Sequence, residues 1–217
     1  MDNHNNKVSL VLHAGGDLSH AAAAWTSTGL KLTPEQYPRI PKLMQMLRDG
    51  SDGNEHGTPF EKSYLQFNVT CDTASHIHIL KHRIGVSVNG ESARYKEYRE
   101  DKFYVPADWP EASQDCLIHM TQEAYAKYHE ELERLIAGGM PRPRAKETTR
   151  YFLPYNIQVK LDVSFNFRSF IHFQKLRNAP HAQLEINEIA KEMMTLVHNI
   201  PDEPFKHSLK AYGYENA

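Results

Sequence analysis

"IQVKLDVSFNFRSFIHFQKLR", residues 157–177, joins two kinds of secondary structure and decides the fold class. Residues 157–165 alternate apolar and polar side chains, which predicts a β-strand. We expect a helix over about 166–176 and another over 180–198. A strand that leads directly into two helices does not follow the strand–helix–strand rhythm of a parallel sheet.

The rest of the chain supports the same class. Asp72 and Thr121 are expected to cap helices, and Gly138-Gly139 is expected to end the second of them. Strands are predicted over 7–13 and 63–70, and helices over about 18–28, 33–50, 72–82, 121–137 and within 141–150. We therefore predict an α+β fold, with a mainly antiparallel sheet flanked by helices, in a single domain over 1–217 whose residues 1–6 form a flexible tail.

Composition excludes several classes of protein. The chain has 217 residues and a formal net charge of −2, so no overall field attracts nucleic acid or a membrane surface. It has neither a run of apolar residues that spans a bilayer nor the pattern of a signal peptide, and we expect a cytoplasmic location. Cys71 and Cys116 are expected to be structural.

Several catalytic and metal-binding motifs are missing from the sequence. It contains no Rossmann fingerprint, P-loop or nucleophile elbow. His129-Glu130 is not followed by the second histidine that a zincin motif needs. His76 and His78 point to different sides of a helix, so no metal site is predicted.

Basic side chains collect in three segments, 81–102, 142–150 and 166–183. One such residue alone is usually a solvated surface charge. The polar loop 87–94 also offers hydroxyls and glycine backbone amides, as a phosphate site requires. In the third segment, aromatic residues alternate with hydrogen-bonding residues, which suits flat heterocycles and equally suits core packing. The residues together indicate a site for a phosphorylated, planar ligand.

Four motifs in these regions carry a resemblance to a known family. "KHR", eight further residues and "SAR" (81–94) are similar to its Arg-His-Arg and Ser-x-Arg signature, with Lys81 in place of the first arginine. "HGTPFEK" (56–62), "ETTRYFLPYN" (147–156) and "NFRSF…LRNAPHAQLEI" (166–186) match in order. The chain resembles the flavin-dependent thymidylate synthases from about Asp17 to Phe205.

The resemblance implies a reaction and its cofactors. dUMP would be methylated to dTMP, with methylenetetrahydrofolate as the carbon donor and NADPH-reduced FAD as the source of hydride. Because the flavin performs the difficult step, neither a cysteine nucleophile nor a Rossmann domain is needed. The family also implies a homotetramer whose active sites are shared between subunits.

The resemblance also implies roles for individual residues. FAD would contact Thr58, Lys81, His82, Arg83, Asn166, Arg168, His172 and His181, with His56 near the active site. dUMP would contact His78, Lys81, Glu91, Ser92, Arg94, Arg150 and Arg177. Arg177 and Ser92 are the candidate catalytic residues, Arg177 by stabilising negative charge on the uracil ring and Ser92 by donating a hydrogen bond.

Departures from the family pattern leave alternatives open. Lys81, His78, Gly90 and His172 replace residues that are usual in the family, and Glu91 is expected to serve in place of the glutamate that is common at position 90. Altered chemistry would give a folate-dependent dUMP hydroxymethylase. The third alternative is a non-catalytic protein that binds flavin or nucleotide.

Overall fold

A computed structural model describes residues 5–51, 53–92 and 94–215. The expected flexible tail over 1–6 falls mostly outside these ranges. The described chain divides into two compact units. Unit 1 contains the described residues of Met1–Lys7, Val69–Lys81 and Asn89–Leu161; unit 2 contains those of Val8–Asn68, His82–Val88 and Asp162–Ala217.

One antiparallel sheet of four strands is present among the described residues. The strands are β1 (Lys7–Ala14), β2 (Tyr64–Asp72), β3 (Val86–Gly90) and β4 (Gln158–Phe165), in the order β1-β2-β4-β3. The strands expected at 7–13, 63–70 and 157–165 are confirmed. The prediction of a polar loop over 87–94 is wrong in its first half. These residues belong to β3, in which the side chains of Val86 and Val88 are half-buried.

The described helices complete an α+β fold, which confirms the predicted class. They are α1 (Asp17–Thr26), α2 (Ile40–Asp49), α3 (Thr73–Leu80), α4 (Glu111–Ala137), α5 (Arg142–Thr149), α6 (Phe167–Arg177), α7 (Leu184–His198) and α8 (Lys206–Ala211). Short 3-10 helices cover Pro34–Arg39, Thr58–Glu61 and Arg150–Phe152. The helix expected over 33–50 is thus two helices, since Pro38 and Pro41 limit the hydrogen bonding of its first half.

The two predicted helix caps have different outcomes. Asp72 caps α3, because its carboxylate accepts a hydrogen bond of 2.8 Å from the backbone N–H of Ser75. The prediction that Thr121 begins a helix is wrong. α4 begins at Glu111, and the Thr121 hydroxyl donates to the carbonyl of Leu117 inside the helix, at 2.7 Å.

Unit 1 packs around one face of α4. Tyr125 lies in a cluster with Phe103, Val105 and Ile157, and Tyr128 lies in a second cluster with residues of α4 and α5. The Tyr125 hydroxyl donates to the carbonyl of Lys102 at 2.8 Å, so its polar end is satisfied.

Unit 2 has an aromatic core that α6 supplies to a large extent. Phe167 stacks on Phe205 with ring centroids 5.5 Å apart, and Phe170 stacks on Phe67 at 5.8 Å. These contacts bury one side of α6, so the residues on its other side are left to face solvent.

A buried polar network connects α1 to α8 within unit 2. The Asp17 carboxylate accepts hydrogen bonds from the backbone N–H groups of His207 (2.7 Å) and Ser208 (2.8 Å) and from the Ser208 hydroxyl (2.5 Å). The ring of His20 bridges the hydroxyls of Ser208 and Ser63, with both distances 2.9 Å. Burial raises the pKa of Asp17 and lowers the pKa of His20 to about 3. These side-chain hydrogen bonds thereby hold α8, a short helix that the sequence did not predict.

Three further findings concern the described residues alone. None of their helices combines the length and the apolar character needed to cross a bilayer. No group of three or more His, Cys, Asp or Glu side chains among them is arranged to hold a metal ion. Cys71 is buried and Cys116 is exposed, and both are free thiols.

Candidate functional site

The loop that follows α3 is fastened to the N-terminal end of α6 in unit 2. The backbone N–H of Asn166 donates to the carbonyl of Gly85 at 3.1 Å, and the Ser169 hydroxyl donates to that of Ile84 at 2.7 Å. Asn166 also caps α6 by accepting from the N–H of Ser169 at 2.8 Å. Gly85 has a φ of 65°, and a Cβ there would lie 2.4 Å from the Asn166 amide nitrogen. Glycine therefore permits the contact that brings this loop to α6.

His82 is buried in this loop and is bonded to the last residue of α6. The Nε of Arg177 donates to the Nε2 of His82 at 3.1 Å. The edges of the rings of Phe173 (5.0 Å, 69°) and His172 (5.9 Å, 65°) surround the imidazole. Since Nε2 accepts, the proton of the neutral imidazole is on Nδ1.

Arg177 is half-buried and is held from two directions. Its side chain is bonded to His82, and its backbone carbonyl accepts from the Nδ2 of Asn187 at 3.0 Å. Burial lowers the pKa of Arg177, yet a guanidinium remains charged in proteins. The structure thus presents a fixed, partly desolvated positive charge at the C-terminal end of α6.

Arg168 lies in the first turn of α6 and forms ion pairs with two carboxylates. Its Nη1 is 2.8 Å from Oε1 of Glu61, and its Nε is 3.8 Å from Oε1 of Glu55. The guanidinium passes so close to Gly57 that a Cβ there would lie 2.5 Å from Nε. The hydrogen bond to Glu61 raises the pKa of Arg168.

The remaining residues predicted near the flavin in unit 2 are accessible. Arg83, His172 and His181 are exposed, and Arg83 forms no ion pair with any described residue. His56 and Thr58 line a cavity of about 610 Å³. Other residues of its wall include Trp25, Arg39, Leu43, Met46 and Lys62.

In unit 1, Ser92 organises the loop that follows β3. Its backbone carbonyl accepts from the N–H groups of Tyr95 (3.0 Å) and Lys96 (2.9 Å), and its hydroxyl lies 3.3 Å from the N–H of Arg94. Arg94 is exposed, and its Nε donates to Oε1 of Glu147 at 2.7 Å. The hydrogen bond from Arg94 lowers the pKa of Glu147. A candidate anion-binding arginine is therefore paired with a carboxylate of α5.

Glu91 closes the same loop onto β4. Its Oε1 accepts from the Nζ of Lys96 at 2.7 Å, and its backbone N–H donates to the carbonyl of Lys160 at 2.9 Å. Its second carboxylate oxygen lies 3.3 Å from the N–H of Lys160. Both carboxylate oxygens of Glu91 are engaged within the protein.

The other nucleotide candidates lie at helix ends of unit 1. Lys81 follows α3, and its N–H lies 3.3 Å from the carbonyl of His78. Arg150 is exposed at the end of α5, with its guanidinium carbon 5.9 Å from the ring centroid of Tyr151. Among the described residues Arg150 forms no ion pair.

Sequence reasoning missed the partners of the predicted residues. It named neither Glu61 nor Glu147, although both stand inside quoted motifs, "HGTPFEK" and "ETTRYFLPYN". It also missed Asn187, which no motif indicated. Their roles depend on contacts between distant parts of the chain.

Comparison with known proteins gives consistent results. The family model described as Thymidylate synthase complementing protein (Thy1) matches residues 9–201. The flavin-dependent thymidylate synthase of Pseudothermotoga lettingae is 31% identical over 216 residues, which cover 96% of this chain and 91% of the relative. That of Thermotoga neapolitana is 32% identical over 192 residues, with coverages of 84% and 81%.

Two solved structures of one protein are also similar. They are of the UMP/dUMP methylase PolB from Streptomyces cacaoi, which is 26% identical to this chain. The structure bound with 5-Br dUMP has a TM-score of 0.77 and covers 97% of this chain and 95% of that chain. The structure bound with 5-Br UMP has a TM-score of 0.75, with coverages of 99% and 97%.

Proposed function

The chain belongs to the thymidylate synthase complementing protein family, the flavin-dependent thymidylate synthases, and from this premise we propose that it methylates dUMP to dTMP. Methylenetetrahydrofolate would provide the carbon and NADPH the reducing equivalents. The observation that supports this most directly is Arg177, because its charge is fixed by His82 at a partly buried position. A preorganised cation of this kind stabilises charge that develops in a transition state.

The donor groups at α6 fit a flavin dinucleotide. Arg83 has an exposed guanidinium, whose fork of N–H groups suits phosphate oxygens. Asn166, His172 and His181 add groups that hydrogen-bond to heteroatoms of a flat ring system. We propose that these residues, with Thr58, Lys81, His82 and Arg168, hold FAD. When bound, FAD supplies the hydride that completes the methyl group.

We propose that the substrate is held by the loop and helix ends of unit 1. Arg94 and Arg150 would bind its phosphate, and the Ser92 hydroxyl would donate to the nucleotide, with His78, Lys81 and Glu91 as further contacts. Arg94 must then exchange Glu147 for the phosphate. The exchange is feasible because this ion pair lies at the surface, where such pairs contribute little stability.

Arg177 would act during the chemical step. Negative charge accumulates on the uracil ring as carbon 5 becomes nucleophilic, and a guanidinium beside the ring stabilises it. Because Arg177 is held before substrate arrives, it does not need to be oriented during the reaction.

We also propose that the chain assembles as a homotetramer with shared sites, as the family resemblance implied.

A second candidate substrate is UMP. It is favoured by the similarity over nearly the whole chain to a methylase that was solved with 5-Br UMP as well as 5-Br dUMP. Methylation of UMP would use the same base and phosphate contacts and would differ at the 2′-hydroxyl.

The test is an anaerobic incubation of the protein with FAD, NADPH, methylenetetrahydrofolate and either dUMP or UMP, with the products identified by mass. We expect dTMP from dUMP, a strongly reduced but measurable rate of its formation in Arg177→Ala, and an unchanged rate in Lys175→Ala on the same helix. A hydroxymethylated nucleotide would replace the synthase with the hydroxymethylase. Methylation of UMP alone would reassign the substrate, and absence of any nucleotide product would refute the proposal.

A further inference from the structure

We infer that His82 is a positioning residue for Arg177: its neutral ring accepts the Nε–H of Arg177 and thereby sets the orientation of the guanidinium toward the substrate. This inference rests on the proposed function, because it assigns to His82 a role through Arg177 in addition to its expected contact with FAD.

The hydrogen bond joins residues that are far apart in sequence. Nε of Arg177 and Nε2 of His82 are 3.1 Å apart. The N–H groups of a guanidinium form a rigid planar fork, so an acceptor at Nε restricts the orientation of the whole group. Stabilisation by the charge of Arg177 alone would not require a fixed orientation of the guanidinium. Alignment of its plane with the flat uracil ring does require one.

His82 is enclosed by its neighbours. It is 8% exposed, and the edges of Phe173 and His172 limit the rotation of its ring. The attachment of Gly85 to the cap of α6 holds its loop. The acceptor therefore has a defined position before any ligand binds, which is the condition for preorganisation.

The bond also requires one protonation state. Arg177 and His172 face the imidazole from α6, and Lys81 and Arg83 flank it in its own segment. Protonation of Nε2 would remove the acceptor and place a second charge against the guanidinium. The neutral ring with a bare Nε2 is thus the form that can accept from Arg177.

The experiment compares two substitutions at His82 at saturating FAD. In His82→Phe the ring shape remains but the acceptor is lost, whereas Gln offers a side-chain carbonyl of similar reach. We expect His82→Phe to lower kcat for dUMP methylation by about tenfold or more, as for loss of a hydrogen bond to a charged group. His82→Gln should recover most of that loss. His119→Phe and His119→Gln, at an exposed position of α4, should leave kcat unchanged.

A double-mutant cycle separates this role from binding of FAD. If His82 acts through Arg177, His82→Phe causes no further loss in an Arg177→Ala background. An equal tenfold loss in both backgrounds, or no recovery in His82→Gln, would overturn the inference.

A measurement without turnover keeps the two proposals distinguishable. Nitrogen-15 NMR of the wild-type protein should show His82 with its proton on Nδ1, and Arg177→Ala should alter that pattern. A wild-type His82 protonated on Nε2 would overturn the inference even in an active enzyme. If His82 carries its proton on Nδ1 but the protein has no activity, the hydrogen bond to Arg177 would be supported and only the proposed reaction would be refuted.

Discussion

The buried imidazole of His20 makes the stability of unit 2 depend on pH, and the size of the effect follows from its surroundings. The side chain is fully buried, and its two ring nitrogens are each 2.9 Å from a serine hydroxyl. Burial disfavours the charged form and lowers the pKa of His20 from an ordinary value of 6.5 to about 3.

Between these two values the unfolded chain binds a proton that the folded chain does not. The free energy of unfolding therefore increases with pH through this window, by about 1.4 kcal/mol per pH unit. His20 contributes its full stabilisation above pH 6.5, and moving from pH 7 to pH 5 removes about 2 kcal/mol of it. The raised pKa of Asp17 has the opposite sign, because it favours proton binding by the folded state.

Urea unfolding at pH 7 and pH 5 measures this effect. Trp25 is buried on the same helix as His20, and its fluorescence reports unit 2 in a Trp109→Phe background. We expect His20→Gln to reduce the pH-dependent loss by about 2 kcal/mol, since Asp17 remains in both proteins. His119→Gln is the exposed control and should behave as wild type.

Two results would contradict the reasoning. One is an equal change between pH 7 and pH 5 in the wild type and in His20→Gln. The other does not depend on the folding of a variant: in nitrogen-15 NMR of the wild type, His20 should stay neutral down to pH 5, and titration near pH 6.5 would show that burial does not control its pKa.

Three further predictions concern the site. Glu147→Gln should tighten binding of dUMP about threefold by calorimetry, because the carboxylate no longer competes for Arg94; weaker binding would show that Glu147 holds Arg94 in a productive position. Gly85→Ala should lower the free energy of unfolding by about 1–3 kcal/mol more than Gly139→Ala. Both glycines have positive φ, but only Gly85 has atoms within 4 Å of the added Cβ. Equal losses would show that backbone strain, and not the contact of Gly85 with α6, accounts for the cost. Arg83→Ala should weaken FAD binding at least tenfold, measured by flavin absorbance after gel filtration, and unchanged retention of FAD would remove Arg83 from the flavin site.

The sequence predicted those elements whose pattern is strong over a short range. Residues 157–177 changed period at the point where β4 ends and α6 begins, and Asp72 was a correct cap because its bond to Ser75 is local. The start of α4 was missed because Pro110 and Glu111 give a weaker signal than Thr121, whose hydroxyl is bonded inside the helix.

Elements fixed by distant contacts could not be predicted in the same way. β3 is five residues long, follows Gly85 and ends at Gly90, and its pairing with β4 decides its conformation. α8 depends on the carboxylate of Asp17, far away in the chain. The same limit applies to the site: motifs indicated both His82 and Arg177, but the bond between them is a tertiary contact.

The carboxylates around the loop after β3 determine which of its positive charges are available to an anion. Next to Gly90, the carboxylate oxygens of Glu91 are engaged by Lys96 and by the backbone of Lys160. A carboxylate used in this way holds the loop closed and neutralises the charge of Lys96. The positive charge that remains for a phosphate is that of Arg94, which Glu147 pairs at 2.7 Å. If this loop binds the nucleotide as we propose, recognition requires exchange of the surface ion pair between Arg94 and Glu147. Salt weakens that pair, and a phosphate dianion carries more charge than the carboxylate it would replace.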